Sequence, residues 1–168
     1  MAEQSVERRL TARVHRVWKK AAGTQSFPRR SQIDPAVLGA DWANCLMIDI
    51  DSNPAHSRYS YVGSALRDFS WPIFDRQCIS ECLEGTLLEL VARHVPQVIA
   101  TANPLSFGGS AIHQDADILY RTVLLPLSES GSTIDGLLAA IGYREIAAGQ
   151  TMPVAELGDG SQGALRVS

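Results

Sequence analysis

The sequence predicts an α+β fold, a five-stranded antiparallel sheet with a helical flank and an additional N-terminal amphipathic helix. Apolar residues recur at helical spacing near the N-terminus, short apolar runs bounded by Gly and Pro indicate five strands, and a helical stretch separates the second strand from the third. With 168 residues, of which 45% are hydrophobic, the chain is long enough for one domain with a sizeable core. We divide it into a basic helix (1–23), a main domain (24–148) and a Gly-rich tail (149–168) that we expect to be flexible.

The first predicted element is a helix over residues 6–22, which Gly23 ends. Its apolar residues share one face and need a cover, because an isolated helix of this length is marginal in water. Three roles are open for the helix: packing on its own domain, pairing with a second subunit, or binding nucleic acid. We take pairing as the leading hypothesis. The predicted dimer or partner interface therefore consists of Val6, Leu10, Val14, Val17, Trp18 and Leu124.

Charge is divided unevenly along the chain. The first 30 residues carry eight basic and two acidic side chains, whereas the remainder carries seven basic and 16 acidic ones. A basic N-terminal segment on an otherwise acidic chain can steer a partner or bind an acidic surface. The cations of this segment could reach phosphates, but no recognised DNA-binding motif accompanies them. Nucleic acid is therefore a further alternative and not the expected partner.

The main domain contains the predicted sheet. The strands are predicted over residues 45–51, 58–62 and 105–112, followed by a hairpin within 118–146. Tyr59 and Tyr61 should lie on one side of the second strand. The longest helix of this domain is predicted over residues 83–102, where Pro96 should kink or divide it.

The first strand of the hairpin alternates between two sets of side chains. The sets are Leu119, Val123, Leu125 and Leu127 on one side and Tyr120, Thr122 and Leu124 on the other. In a strand these sets face opposite sides of the sheet, so one should face the helices and the other the outer surface. We place Leu124 and residues 137–141 on the surface that the N-terminal helix covers.

Three motifs occur in order along the main domain: PRRSQIDPAVL (28–38), YVGSAL (61–66), and YRTVLLPLSESG followed by IDGLLAAI (120–141). Together they resemble the PAS-like family of short alphaproteobacterial proteins, over roughly residues 27–146. The predicted order, with helices inserted after the second strand, is also that of a PAS domain. The resemblance implies a PAS fold and a signalling or regulatory role. It implies no particular cofactor and supplies no catalytic residues, so the cofactor stays unknown.

We do not expect an enzyme or a metal site. The four histidines, His15, His56, His94 and His113, lack the spacing of zinc ligands. The sequence has no G-x-S-x-G nucleophile motif and no phosphate-binding loop. Cys78 and Cys82 are four residues apart and could form a redox pair or hold a soft ligand, but thiols that fill core space are the favoured interpretation.

A PAS-like fold encloses a cavity in some members and a solid core in others. The residues that we place near such a ligand pocket are Tyr61, Trp71, Phe74, Cys78, Leu88 and Tyr120. For each of them, ordinary core packing is the competing interpretation. An apolar cavity with a few polar groups would be the default ligand site.

These observations lead to a functional expectation. We expect a cytoplasmic, bacterial, single-domain regulator that acts in a signalling pathway through a protein partner and as a homodimer. A small-molecule sensor is the first alternative and nucleic-acid binding the second. No apolar run approaches the ~20 residues that span a bilayer, and the N-terminal segment lacks the apolar core of a secretory signal.

Overall fold

The structure, a computed structural model, describes residues 6–67, 76–82, 84–113 and 115–146, with the backbone alone for residues 6–8 and 113. Its strands are β1 (Cys45–Asp49), β2 (Arg58–Val62), β3 (Leu105–His113), β4 (Ala116–Leu127) and β5 (Gly136–Glu145). Its α-helices are α1 (Val6–Ala22), α2 (Pro35–Leu38), α3 (Ser64–Arg67), α4 (Leu87–Ala92) and α5 (Val95–Thr101). The flexibility expected of the tail falls on residues outside this description.

The five strands form one antiparallel sheet in the order β2-β1-β5-β4-β3. Helices α3, α4 and α5 lie between β2 and β3 in the chain, whereas α1 and α2 precede β1. The predicted fold class, an α+β fold with a five-stranded antiparallel sheet, a helical flank and an N-terminal helix, is confirmed. Among the helices that the structure describes, none is both long enough and apolar enough to cross a bilayer.

The sheet separates two hydrophobic cores. We call the side that packs against α3, α4 and α5 the inner face, and the side that packs against α1 and α2 the outer face. The inner core contains Leu46, Ile48, Tyr59, Leu66, Leu88, Val91, Val98, Phe107, Tyr120, Leu124 and Ile141, among others. The outer core contains Leu10, Val14, Trp18, Phe27, Ile33, Leu38, Met47, Val123, Leu125, Leu127 and Leu138, among others.

The apolar stripe of α1 is covered by the chain's own sheet. Val14 is fully buried, and Leu10 and Trp18 keep only 8% and 6% of their surface exposed. They pack against the outer-face side chains of β4 and β5, whereas Val17 is half-buried beside them. The structure therefore has the arrangement in which the helix packs on its own domain. Val6 is in the helix, but its side chain lies outside the described residues.

The two sets of β4 side chains do lie on opposite faces. Tyr120 and Leu124 belong to the inner core, whereas Val123 and Leu125 belong to the outer core beside α1. Leu124 is fully buried, so its expected place on the surface beneath α1 is wrong. Successive side chains of a strand face opposite sides of the sheet. Because α1 covers the odd-numbered positions of β4, the side chain of Leu124 faces the other side.

A β-bulge in β2 reverses the direction of one tyrosine. Met47 pairs with Tyr61 and Ile48 pairs with Tyr59, so Ser60 is an extra residue without an opposite partner in β1. An extra residue breaks the alternation of a strand. Tyr59 therefore belongs to the inner core while Tyr61 packs against the outer one. The prediction that both tyrosines share a side is wrong.

The predicted long helix is divided, as expected, into α4 and α5. Thr86 caps α4, since its hydroxyl accepts a hydrogen bond from the Glu89 N–H at 3.3 Å. The break comes at Arg93 and His94, before Pro96 instead of at it. Pro96 is the second residue of α5, where a missing N–H removes no helical hydrogen bond.

Candidate functional site

Three aromatic rings form a continuous row on the inner face. The imidazole of His94, between α4 and α5, stacks on Phe107 of β3 with ring centroids 3.9 Å apart. Phe107 in turn makes a T-shaped contact with Tyr120 of β4, with ring centroids 6.4 Å apart. His94 Nδ1 lies 2.9 Å from the Leu90 carbonyl oxygen, which fixes the plane of the imidazole. The row forms a mostly apolar part of the inner face.

A polar pair lies inside the inner core near the start of α4. The Tyr59 hydroxyl donates to the Leu88 carbonyl oxygen at 3.2 Å and accepts a hydrogen bond from the Cys82 thiol at 3.5 Å. Burial raises the pKa of Tyr59 well above its usual range and also raises the pKa of Cys82. Both groups are therefore neutral at physiological pH.

An ion pair between α4 and the residue that follows it influences the pKa of Tyr120. Arg93 donates two hydrogen bonds to the Glu89 carboxylate, at 2.6 and 2.8 Å. Burial raises the pKa of Tyr120 to about 12, and the positive charge of Arg93 opposes that shift. Tyr120 is thus a neutral hydrogen-bonding group on a largely apolar face.

The Thr122 hydroxyl is the unusual group of this face. Thr122 pairs with Phe107 on one side and with Ile141 on the other, and both of these belong to the inner core. The residue is fully buried and its Oγ1 has no hydrogen-bond partner. Buried polar atoms nearly always have a hydrogen-bond partner, so the unpaired Oγ1 of Thr122 needs a physical explanation.

The structure brings some of the predicted pocket residues together and separates others. Leu88 and Tyr120 lie in the inner core, as expected of pocket residues. Cys78 is buried at the sheet edge, where its backbone forms an isolated β-bridge with Arg58. Its thiol donates to the Ala55 carbonyl oxygen at 3.0 Å. Trp71 and Phe74 lie outside the described residues.

Tyr61 does not lie on the inner face. The β2 bulge turns it toward the outer face, where its ring stacks on Trp42 with centroids 4.1 Å apart and planes 10° from parallel. Its hydroxyl donates to the Trp42 carbonyl oxygen at 3.0 Å. The prediction that Tyr61 lines a pocket between the sheet and the helical flank is therefore wrong.

The predicted pocket residues did not include Thr122, His94 or Phe107. A signal for Thr122 was present, because it is the one hydroxyl residue between two inward-facing positions of an apolar strand, Tyr120 and Leu124. The row of rings had no such signal. Residues 94, 107 and 120 are joined only when the register of β3 and β4 is known.

A second polar cluster joins two of the sequence motifs at the end of β1. Arg30 donates from Nη2 to the Asp49 carboxylate and to the Ser60 hydroxyl, the latter at 2.7 Å. Its backbone N–H donates to Glu129 Oε1 at 3.1 Å, and the Ser128 N–H donates to the Pro28 carbonyl oxygen at 3.0 Å. These groups satisfy one another, so the cluster holds the segment before α2 on the hairpin loop instead of presenting a site.

Neither metal ligands nor known relatives point to a chemistry. Within the described ranges, no group of three or more His, Cys, Asp and Glu side chains could hold a metal ion. No protein family matches the chain, and a search of curated proteins finds no relative. The resemblance to the PAS-like family therefore stays a prediction.

Proposed function

We propose that the chain is a PAS-like, cytoplasmic regulatory domain that binds a small molecule between the inner face of its sheet and the helical flank. Two features support a PAS-like interpretation: the five-stranded antiparallel sheet and the helices inserted between β2 and β3. The burial of the α1 stripe shifts the balance from the interaction module toward the sensor. With that stripe covered by the chain's own sheet, the helix no longer offers its apolar residues to a second subunit.

The observation that carries the proposal is the Thr122 hydroxyl. A buried polar group without a hydrogen bond costs about 1–3 kcal/mol, and a polar atom of a bound molecule would offset that cost. Its surroundings are apolar and aromatic, with Tyr120 as a neutral polar neighbour on the same strand face. Such a site selects a small, mostly apolar organic molecule with one or two hydrogen-bonding groups.

Native mass spectrometry of freshly purified full-length protein tests the proposal. We expect a bound molecule at about one per chain, and we expect T122V to retain at least tenfold less of it. T133V, at an exposed position in the β4–β5 loop, is the matched control and should retain the ligand. If the wild type carries no bound molecule and T122V is more stable than the wild type, the inner core is solid and the sensor proposal is wrong.

A protein partner, including a second copy of the chain, is the second candidate. Val37 on α2 is 64% exposed, which is unusual for a large aliphatic side chain, and α2 contacts the 3-10 turn that carries the half-buried Trp42. Sedimentation velocity of the wild type and of V37E tests this surface. A dimer that V37E dissociates supports it, whereas a monomeric wild type excludes self-association there. Truncation at Gly23 would be a poorer test, because it uncovers Leu125 and Leu138.

A further inference from the structure

The burial of one face of α1 determines what its other face presents. Helical geometry places Arg9, Arg16 and Lys20 within about 40° of one another, on the side opposite Trp18. All three side chains are exposed, as is Lys19 beside them. We call these four residues the basic ridge. From Arg9 to Lys20 it extends about 16 Å along the helix axis.

The cations of the basic ridge have no acidic partner among the described residues. The ion pairs of the structure join Arg13 to Asp41, Arg30 and Arg76 to Asp49, and Arg93 to Glu89. Arg13 is on the same helix, but its guanidinium donates two hydrogen bonds of 2.7 Å to Asp41 and is thereby occupied. Within the part of the chain that the structure describes, the ridge therefore presents four positive charges without a paired carboxylate.

The chemistry of the ridge decides between three kinds of anionic partner. A membrane-bound amphipathic helix inserts apolar side chains into the lipid, but the apolar stripe of α1 is buried against the sheet. A protein interface needs aromatic or aliphatic anchors, and between the cations of the ridge the exposed side offers only Ala12. A phosphate backbone needs cations alone.

We propose that the basic ridge binds the phosphate backbone of a nucleic-acid duplex without reading its bases. This interaction is independent of the proposed small-molecule site, because α1 packs on the outer face and Thr122 lies among inner-core residues. The chain as a whole has a net charge of −3, but charges separated by more than about 10 Å are screened at 0.1 M salt. A local ridge can therefore attract phosphates although the molecule is acidic.

The proposal predicts a weak and strongly salt-dependent interaction. Neutralising four phosphates gives a slope of about −3.6 in a plot of log K against log salt concentration. Between 50 and 200 mM salt, the affinity should then fall by about 100-fold. The sequence of the duplex should change the affinity little, since contacts to the phosphate backbone carry no sequence information.

Fluorescence anisotropy with a labelled 20-base-pair DNA duplex and the full-length protein tests this. R16Q/K20Q should weaken binding at least tenfold and make the salt slope shallower by about 2. R58Q/R76Q removes the same charge from exposed positions on and beside β2 and should leave binding within twofold. An RNA duplex of equal length shows which nucleic acid binds more tightly.

Three results would overturn the proposal: no binding of either duplex at 50 mM salt, an equal loss in both double variants, or a slope near zero. Vesicles that contain phosphatidylserine serve as the membrane probe. Vesicle binding without duplex binding would assign the ridge to a membrane surface instead. Thermal unfolding of both double variants confirms that each is folded.

Discussion

The indole N–H of Trp18 donates a hydrogen bond of 2.7 Å to the carbonyl oxygen of Pro126, across 108 residues of sequence. The strand pairing explains why this carbonyl is available. The register of β3 with β4 ends with Leu105 opposite Leu124, so Pro126 has no strand partner on that side. A proline inside a sheet is tolerated where its missing N–H is not needed. The Pro126 carbonyl oxygen is therefore available to accept the hydrogen bond from Trp18 of α1.

Trp18→Phe tests how firmly α1 is attached. The substitution removes the indole N–H and leaves the Pro126 carbonyl oxygen unsatisfied, so we expect the free energy of unfolding to fall by about 1–3 kcal/mol. Urea denaturation measures the change. Arg16→Ala, at an exposed position of the same helix, should change stability by less than about 0.5 kcal/mol. Equal effects of the two substitutions would show that the hydrogen bond contributes nothing.

Gly63 is required by a close approach of the backbone. A Cβ atom at this position would lie 2.2 Å from the Ala43 carbonyl oxygen and 2.8 Å from that of Cys45. The backbone must therefore shift in G63A, and we expect a loss of about 1–3 kcal/mol, as for other overpacking substitutions. S64A, next to it and exposed, is the control for chemical denaturation. An unchanged unfolding midpoint in G63A would contradict this packing.

Alkaline pH should reveal the protonated state of Tyr120. Its pKa is raised from 10.0 to about 12 by burial, so between these values the unfolded chain releases a proton that the folded chain keeps. Stability is therefore fully present below pH 10 and falls as the pH rises toward 12. At pH 11 the loss from this group is about 1.4 kcal/mol.

Tyr120→Phe removes that contribution. Stability curves from urea denaturation at pH 9 and pH 11 should show a smaller loss in the variant, by about 1.4 kcal/mol. Tyr59 and Cys45 also have raised pKa values and stay present in both proteins, so the difference between the proteins isolates Tyr120. Identical pH dependence would mean that Tyr120 is accessible to water.

The three thiols should react in order of their exposure. Cys82 is half-buried, whereas Cys45 and Cys78 are buried, and burial raises the pKa of Cys45 to about 12. At pH 8 an aromatic disulfide reagent should modify Cys82 first and Cys45 only after unfolding. C82S should lose the first kinetic phase, while denatured wild-type protein should show three thiols. A fast phase that persists in C82S would place another thiol at the surface.

Much of the fold could be predicted because its signals are local. The bounds of α1 and of β2 agree with the predicted residues, since apolar spacing and a following glycine act over a few positions. The first strand is less well predicted, because it ends at Asp49, two residues earlier than expected. The candidate site was predicted less well: of its four residues that the structure describes, Leu88 and Tyr120 lie in the inner core, whereas Tyr61 and Cys78 do not.

The sequence by itself determines the order of the elements, their type and the two-sided pattern of the hairpin strand, because these depend on propensities and periods within short segments. The tertiary structure alone decided which face each side chain joins. One bulged residue, Ser60, turns Tyr61 away from Tyr59, and the docking of α1 on the odd positions of β4 places Leu124 in the other core. Register and docking depend on contacts between distant segments, such as Trp18 with Pro126, and no local pattern encodes them.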